Sequence, residues 1–383
     1  MKYLVYLNHY NIRQCEAQYL DIFYQILEKL KGAHYILSNE YLKRYDSKHR
    51  WEVRRVEQSM RYDDLLTNIV PTGYTLMEKP ENLINTECMV PSEVLRFVVN
   101  NEIPTQVETI EKVLRLRKNL KAGLTWVNNK CFKETLEVHG IPTIHHELGP
   151  FRPQTYISTA YLDFSGVNGN TEFDKRFQEF LKIADSVPIL SRKELIRVIS
   201  PNYYHKLIKI LEDNRRMYEI GVGLQVEVDT NLLLFNNGRS WVDPVLAAKA
   251  DSERKVLVRP HPSAGYIMKP DSRLEIDDIT KGSAIDFINK CNKIYCLNSS
   301  VGFEALMLGR EAKIFGDSPF KNVCDMEDEE QLLALNFAVF GYLIHRDLLF
   351  NNKYYLFRLA NRGDEKAIYL DNMKRLLTMA RVH

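Results

Sequence analysis

Short apolar runs alternate with amphipathic stretches along most of the chain. Residues 4–7, Leu-Val-Tyr-Leu, read as a buried first strand, and residues 17–30 carry apolar positions at helical spacing. The middle of the chain is clearest. Residues 123–128 read as a strand, 130–139 as a helix stopped by Gly140, and 141–147 as the next strand. That is one βαβ unit of ordinary length. The signal recurs with a strand at 255–258, a helix at 282–289, a strand at 294–297, a helix at 302–308 and a strand at 312–315. Two such stretches predict an α/β fold of two Rossmann-like domains facing a central cleft. The charged helical segment 193–216 is the expected join. The expected domains are therefore 1–200 and 201–383, with a helical tail from about 332 packing back across both.

Length agrees with this division, since 383 residues suggest about two domains. The 52 basic and 50 acidic residues leave a formal net charge of only +2. That argues against a dedicated nucleic-acid binder, which would carry a strong basic excess. No run of about 18 apolar residues offers a membrane span, and the apolar run at the N-terminus is too short for a signal peptide. The cysteines, Cys15, Cys88, Cys131, Cys291, Cys296 and Cys324, form no C-x-x-C pair and no zinc spacing. They read as reduced core thiols of a cytoplasmic protein, Cys291 and Cys296 flanking a strand start. Basic residues do concentrate locally, at Lys112, Arg115, Arg117, Lys118 and Lys121 on a helix expected over 107–120, and between Arg44 and Arg61. These are either solvated faces or contacts for anionic lipid at the inner face of the inner membrane.

Four clusters could carry chemistry. His145-His146-Glu147-Leu148-Gly149-Pro150-Phe151-Arg152 ends a predicted parallel strand, so its polar groups fall on the ligand side of a sheet. Glu147 is a candidate acid/base, Gly149 permits a tight turn, and Arg152 can hold an anion through two parallel hydrogen bonds. Gln225-Val226-Glu227-Val228-Asp229 follows an apolar alternation, which puts Gln225, Glu227 and Asp229 on one side while the strand continues. They line either a solvent-exposed edge or a cleft. Arg259-Pro260-His261-Pro262 follows an apolar strand, and its two prolines stiffen the loop that presents His261. That imidazole can donate to a phosphate or an oxyanion. Asn298-Ser299-Ser300-Val301-Gly302-Phe303-Glu304 reads as a strand end opening a helix, with Ser299 or Ser300 as N-cap. The free N–H groups there favour a phosphate. The sequence has neither G-x-x-x-x-G-K-[ST] nor G-x-G-x-x-G, and no D-x-D at a strand end, so no metal is expected.

Taken together, the clusters resemble the bacterial Kdo transferases of capsule and lipopolysaccharide synthesis, and most closely the retaining β-Kdo transferases of glycosyltransferase family 99. The carrying residues are His-Glu-Leu-Gly-Pro-Phe-Arg at 146–152, Asp163-Phe164-Ser165-Gly166-Val167-Asn168, Gln225 to Asp229, Arg259-Pro260-His261-Pro262, Asn298 to Glu304 and Phe315-Gly316-Asp317-Ser318-Pro319-Phe320. They span residues 120–320.

The resemblance implies a GT-B-like fold with the acceptor on the N-terminal domain and the nucleotide sugar on the C-terminal one. It implies CMP-β-Kdo as donor substrate, no further cofactor, and a glycan or lipid-linked acceptor in O-antigen or capsule synthesis. In such enzymes the residue matching Asp229 is thought to attack the anomeric carbon, and that matching Glu147 to act as acid/base. His261 would then meet the donor phosphate or the Kdo carboxylate. Arg152, Gln225, Arg259, Asn298, Ser299, Ser300, Gly302 and Glu304 would hold the donor. Two other classes fit the same residues. One is an inverting Kdo or sialic acid transferase with Asp229 or Glu147 as general base, and the other is a non-catalytic nucleotide-sugar-binding scaffold.

Overall fold

The computed structural model describes residues 2–7, 19–42, 73–77, 91–213, 215–226, 229–262 and 271–380. The Arg44 to Arg61 stretch, Cys15, Cys88 and Glu227 lie outside them. The chain divides into two compact units. The first comprises Met1–Glu147, Leu162–Val167 and Asp347–Phe357, and the second Leu148–Tyr161, Asn168–Arg346 and Arg358–His383.

The described elements of the first unit are β1 (Tyr3–Tyr6), α1 (Leu20–Lys29), β2 (His34–Leu37), β3 (Tyr74–Leu76), α2 (Pro91–Asn100), α3 (Pro104–Leu116), β4 (Ala122–Trp126), α4 (Lys130–Val138) and β5 (Thr143–Leu148), the last ending just past the boundary. After β6 (Thr159–Asp163) come α5 (Phe173–Leu181), α6 (Arg192–Ile199), α7 (Tyr204–Glu212), β7 (Tyr218–Gly223), α8 (Thr230–Phe235), α9 (Val242–Asp251), β8 (Val256–Arg259) and β9 (Leu274–Ile276). The chain ends with α10 (Ala284–Lys290), β10 (Cys291–Cys296), α11 (Ser300–Met307), β11 (Glu311–Ile314), α12 (Asp328–Asn336), β12 (Leu343–His345), α13 (Asn352–Ala360) and α14 (Glu365–Ala380).

The strands form two sheets, ordered β12-β6-β5-β4-β1-β2-β3 and β11-β10-β7-β8-β9. In the first, β1 pairs in parallel with β2 and β4, with Val5 opposite Tyr35 and Leu124, while β12 runs antiparallel to β6. The second sheet is parallel throughout. Helices connect the strands, and Tyr3–Tyr6, His34–Leu37 and Ala122–Trp126 are buried at every position. Such continuous burial is how parallel strands look when covered on both faces. The expected α/β architecture of GT-B type, two Rossmann-like sheets, is thus present. The second core gathers Ile220, Val222, Val256, Val258 and Tyr295 from three adjacent strands, with Leu297 just past the end of β10.

Three local expectations shift for physical reasons. The basic helix begins at Pro104, whose fixed φ and missing N–H suit a first turn, and ends at Leu116. The alternation from Ile220 does not continue as strand to Asp229: β7 ends at Gly223, and the Asp229 carboxylate N-caps α8 by accepting from the Asn231 N–H. Cys291 and Cys296 both lie on β10, and burial pushes each thiol up to about 12. The expected stop at Gly140 is present, with a φ of +68° just past the end of α4.

The tail contributes to both units. Within the first, Tyr3 Oη donates to Asn352 Oδ1 at 3.0 Å. Within the second, Arg176 makes a two-pronged ion pair with Glu365, both nitrogens 2.8 Å from carboxylate oxygens, and Tyr369 Oη donates to the Pro188 carbonyl at 2.8 Å.

Candidate functional site

In parallel α/β sheets, ligands gather beyond the strand C-termini, because the following helices point their N-termini there. In the second unit β7, β8 and β10 deliver Gln225, His261 and Asn298 to this edge. The Leu224 N–H donates to the Arg259 carbonyl at 3.0 Å, so the ends of β7 and β8 leave the sheet side by side. Gln225 and Asn298 form a reciprocal pair. Gln225 Nε2 donates to Asn298 Oδ1 at 2.8 Å, and the Asn298 N–H donates to Gln225 Oε1 at 3.0 Å. Asn298 Nδ2 also donates to the Asn231 and Phe235 carbonyls at 3.2 and 3.3 Å. The loop that carries Asp229 is thereby tied to the end of β10.

Ser299 is the N-cap of α11, its hydroxyl accepting from the Val301 N–H at 3.4 Å. A Cβ on Gly302 would lie 3.0 Å from Cys296 Sγ and 3.2 Å from two Ile314 carbons, so the glycine lets α11 sit close on β10 and β11. Glu304 is buried, and burial pushes its carboxyl up to about 7 against the pull of the Tyr156 and Ser300 hydroxyls and of Arg152. Ser300 Oγ donates to Glu304 Oε1 at 3.4 Å. Phe303 stacks on Phe320 with ring centroids 3.9 Å apart and meets Phe151 at 5.5 Å. The motifs around Arg152, Glu304 and Phe320, distant in sequence, therefore meet in one place within the second unit.

Arg259 is otherwise engaged. Its Nη1 contacts Asp277 Oδ2 at 2.5 Å and its Nη2 donates to the Gly282 carbonyl at 2.9 Å. Lys290 also reaches Asp277, at 2.7 Å. The guanidinium braces the end of β8 immediately before half-buried His261.

In the first unit Glu147 stands half-buried near the C-terminal end of β5. The preceding histidines are core groups. Burial lowers His146 to about 4 and His145 to about 3. His146 Nδ1 faces the Thr125 carbonyl at 3.2 Å, so it carries the proton, and Nε2 accepts from Tyr355 Oη at 2.7 Å. Asp163 is fully buried and its Oδ1 accepts from the Ser165 and Gly166 N–H groups at 2.7 and 3.0 Å. The acid in that motif thus shapes its own turn.

Gly149 serves a different purpose from the one its sequence context suggests. Its φ is not positive; instead, a Cβ there would lie 2.4 Å from Thr159 Oγ1. Close approach of two backbones requires the glycine.

Sequence reading missed Tyr156, Asn231 and Asp277 as supporting groups. Tyr156 lies four residues beyond Arg152, across a non-helical turn in which its N–H donates to the Arg152 carbonyl at 3.1 Å, and that short spacing is the only signal it offered. Among the described residues, no three His, Cys, Asp or Glu side chains group so as to hold a metal ion, and no helix is long and apolar enough to cross a membrane.

Comparison with known proteins gives a consistent family. Residues 5–172 match the Glycosyltransferase 99 family N-terminal domain, and residues 190–329 match Capsule polysaccharide biosynthesis protein. No curated protein matches the chain. Among solved structures, the beta Kdo 2,7 transferase of Thermosulfurimonas dismutans KpsC is similar at 18% identity, covering 66% of this chain and 89% of that one, with a TM-score of 0.42. The beta Kdo 2,4 transferase of the same protein is similar at 18% identity over 60% and 82% of the two chains, with a TM-score of 0.41. Acinetobacter baumannii MurG covers both chains in full at 10% identity and a TM-score of 0.28.

Proposed function

This chain is a glycosyltransferase that belongs to family 99, joining that family's N-terminal domain to a capsule polysaccharide biosynthesis domain, and from this premise we propose that it moves Kdo from CMP-β-Kdo to a glycan acceptor with retention. The observation that carries the reading is the meeting of three motifs in the second unit: Asn298 ties the Gln225–Asp229 loop to the head of α11, and Glu304 in α11 faces Tyr156, with Arg152 acting on its charge. A helix N-terminus beside fixed polar groups suits a nucleoside monophosphate. The CMP group is assigned to Asn298, Ser299, Ser300, Gly302 and Glu304, with His261 on the phosphate or the Kdo carboxylate. Arg152 supplies positive charge. Arg259 contributes by bracing the His261 loop.

Kdo has a tertiary anomeric carbon, so transfer passes through an oxocarbenium-like state that a carboxylate stabilises. In the proposed first step an Asp229 carboxylate oxygen bonds to C2 as the C2–O bond to phosphate breaks, and CMP leaves with the electron pair. In the second, the acceptor hydroxyl loses its proton to Glu147 and attacks C2, and Asp229 departs as carboxylate. Two inversions restore the β configuration. On this reading residues 1–200 form the acceptor side and 201–383 the donor side, except that Arg152 and Tyr156 stand with the donor motifs of the second unit, in a cytoplasmic enzyme of capsule or O-antigen synthesis.

The test is direct. NMR of the product from CMP-Kdo should show a β linkage. Asp229→Asn should abolish turnover while leaving CMP binding nearly intact, and a trapped Kdo adduct should map to Asp229. A near-wild-type rate in that variant, or CMP contacts away from residues 261 and 298–304, overturns the assignment.

A further inference from the structure

The end of the first unit opposite Glu147 carries a second kind of surface. In a parallel sheet every strand starts at the same end, and helices that run back between strands finish there. In this unit β1 and β4 start together, the Lys121 N–H donating to the Lys2 carbonyl at 2.7 Å. Helices α3 and α4 finish at this end, just before β4 and β5, and are linked by His139 Nε2 and Glu111 Oε1 at 2.8 Å.

The side chains there are an unusual mixture. Leu116 is 79% exposed and Val138 83% exposed, the two most exposed large apolar residues among those described. Around them stand Lys2, Arg115, Lys118 and Lys121, all exposed. None of the four has a carboxylate partner among the described residues. The nearby helix carboxylates are already paired: Glu108 with Lys112 at 3.0 Å, Glu111 with His139, and Glu137 with Lys133 at 3.9 Å. Cations with no carboxylate partner among the described residues, set around exposed aliphatic tips, match an interface whose surface is anionic and whose depth is apolar.

We infer that this face docks on a bilayer of anionic phospholipid, with Leu116 and Val138 entering the headgroup layer and Lys2, Arg115, Lys118 and Lys121 meeting lipid phosphates. Within the first unit the face is separate from Glu147, which lies four residues along β5 from Thr143, about 13 Å at strand rise. Docking is thus independent of the sugar-transfer reading.

Sedimentation with vesicles tests it on the full chain. The protein should bind vesicles rich in phosphatidylglycerol, not vesicles of phosphatidylcholine alone, and added salt should release it. Each basic residue near an anionic leaflet strengthens binding roughly fivefold. Reversing Arg115, Lys118 and Lys121 to Glu should therefore weaken it at least about a hundredfold. Leu116→Ser with Val138→Ser should weaken binding while leaving its salt dependence in place. Far-UV circular dichroism and thermal unfolding, measured in parallel on each variant, serve as the control for folding of the first unit. Unchanged vesicle binding in the triple variant overturns the inference. So does a wild-type chain that ignores anionic vesicles, including one that instead pairs through this face with an acidic protein.

Discussion

Gln225 and Asn298, 73 residues apart, read each other through two hydrogen bonds of 2.8 and 3.0 Å. A side-chain amide and a peptide group are thereby satisfied at once. Asn298 is 5% exposed, and its remaining donors hold two carbonyls of the α8 segment. A buried network of this kind is costly to break, because each lost partner leaves another group unpaired. Asn298→Ala should destabilise the second unit by about 2–3 kcal/mol. Denaturant titration gives that number. Calorimetric titration with CMP should show at least a tenfold loss of affinity, since the Asp229 loop and the head of α11 lose their common tie. Unaltered stability would mean that the pairing contributes nothing.

Gly149→Ala probes the contact between backbones. The added methyl would meet Thr159 Oγ1 at 2.4 Å and the Thr159 carbonyl carbon at 2.9 Å. The first atom could rotate away, but the backbone carbon cannot. Thr159 Oγ1 also serves the Phe151 N–H and carbonyl, at 3.3 Å each. The substitution should cost roughly 1–3 kcal/mol, as overpacking does. Thr159→Ser with Gly149→Ala should recover little of the loss, because the backbone clash persists. Thermal unfolding of both variants tests this.

Much of this arrangement was legible in the chain. The βαβ pattern places β4, α4 and β5 within a few residues of their observed bounds, because a parallel strand and a helix differ sharply in period. Alternation misled at Gln225 to Asp229, where the same polar spacing arises from a strand end, a loop and an N-cap. Arg259 read as an anion ligand because nothing in the sequence ties it to Asp277, 18 residues away and on another loop. Glu304 was legible as a polar group at a helix start. Its burial was not, since that depends on Tyr156 and Phe320, which arrive through tertiary packing.

Glu304 makes stability depend on pH. Its carboxyl ordinarily titrates at 4.5, and in the fold burial raises it to about 7. The native state therefore holds a proton that the unfolded chain releases between those values. The corresponding stability is fully present below about pH 4.5 and is lost as pH rises through about 7. Over that window the wild type should lose roughly 3 kcal/mol relative to Glu304→Gln. Unfolding free energies of the two proteins at several pH values from acid to neutral measure it. Parallel curves would exclude the effect.

His146 in the first unit gives the opposite slope. Burial holds the imidazole down to about 4, while the unfolded ring titrates near 6.5. Between these values the unfolded chain binds the extra proton, so stability present above pH 6.5 is lost as pH falls toward 4. His145, lowered to about 3, acts in the same direction. The His146 share is roughly 3 kcal/mol. Tyr355→Phe removes the hydroxyl 2.7 Å from Nε2 and leaves a buried acceptor unpaired. It should cost about 1–2 kcal/mol at neutral pH. His146→Gln, which cannot take up a proton, should lose less stability than the wild type between pH 7 and pH 4. Trp126 lies on β4 beside β5, so its fluorescence can follow this unit as acid is added, in a background where Trp51 and Trp241 are replaced by Phe. If acid shifts the unfolding midpoint equally in the wild type and in the His146→Gln variant, proton uptake at this ring is not what destabilises the unit.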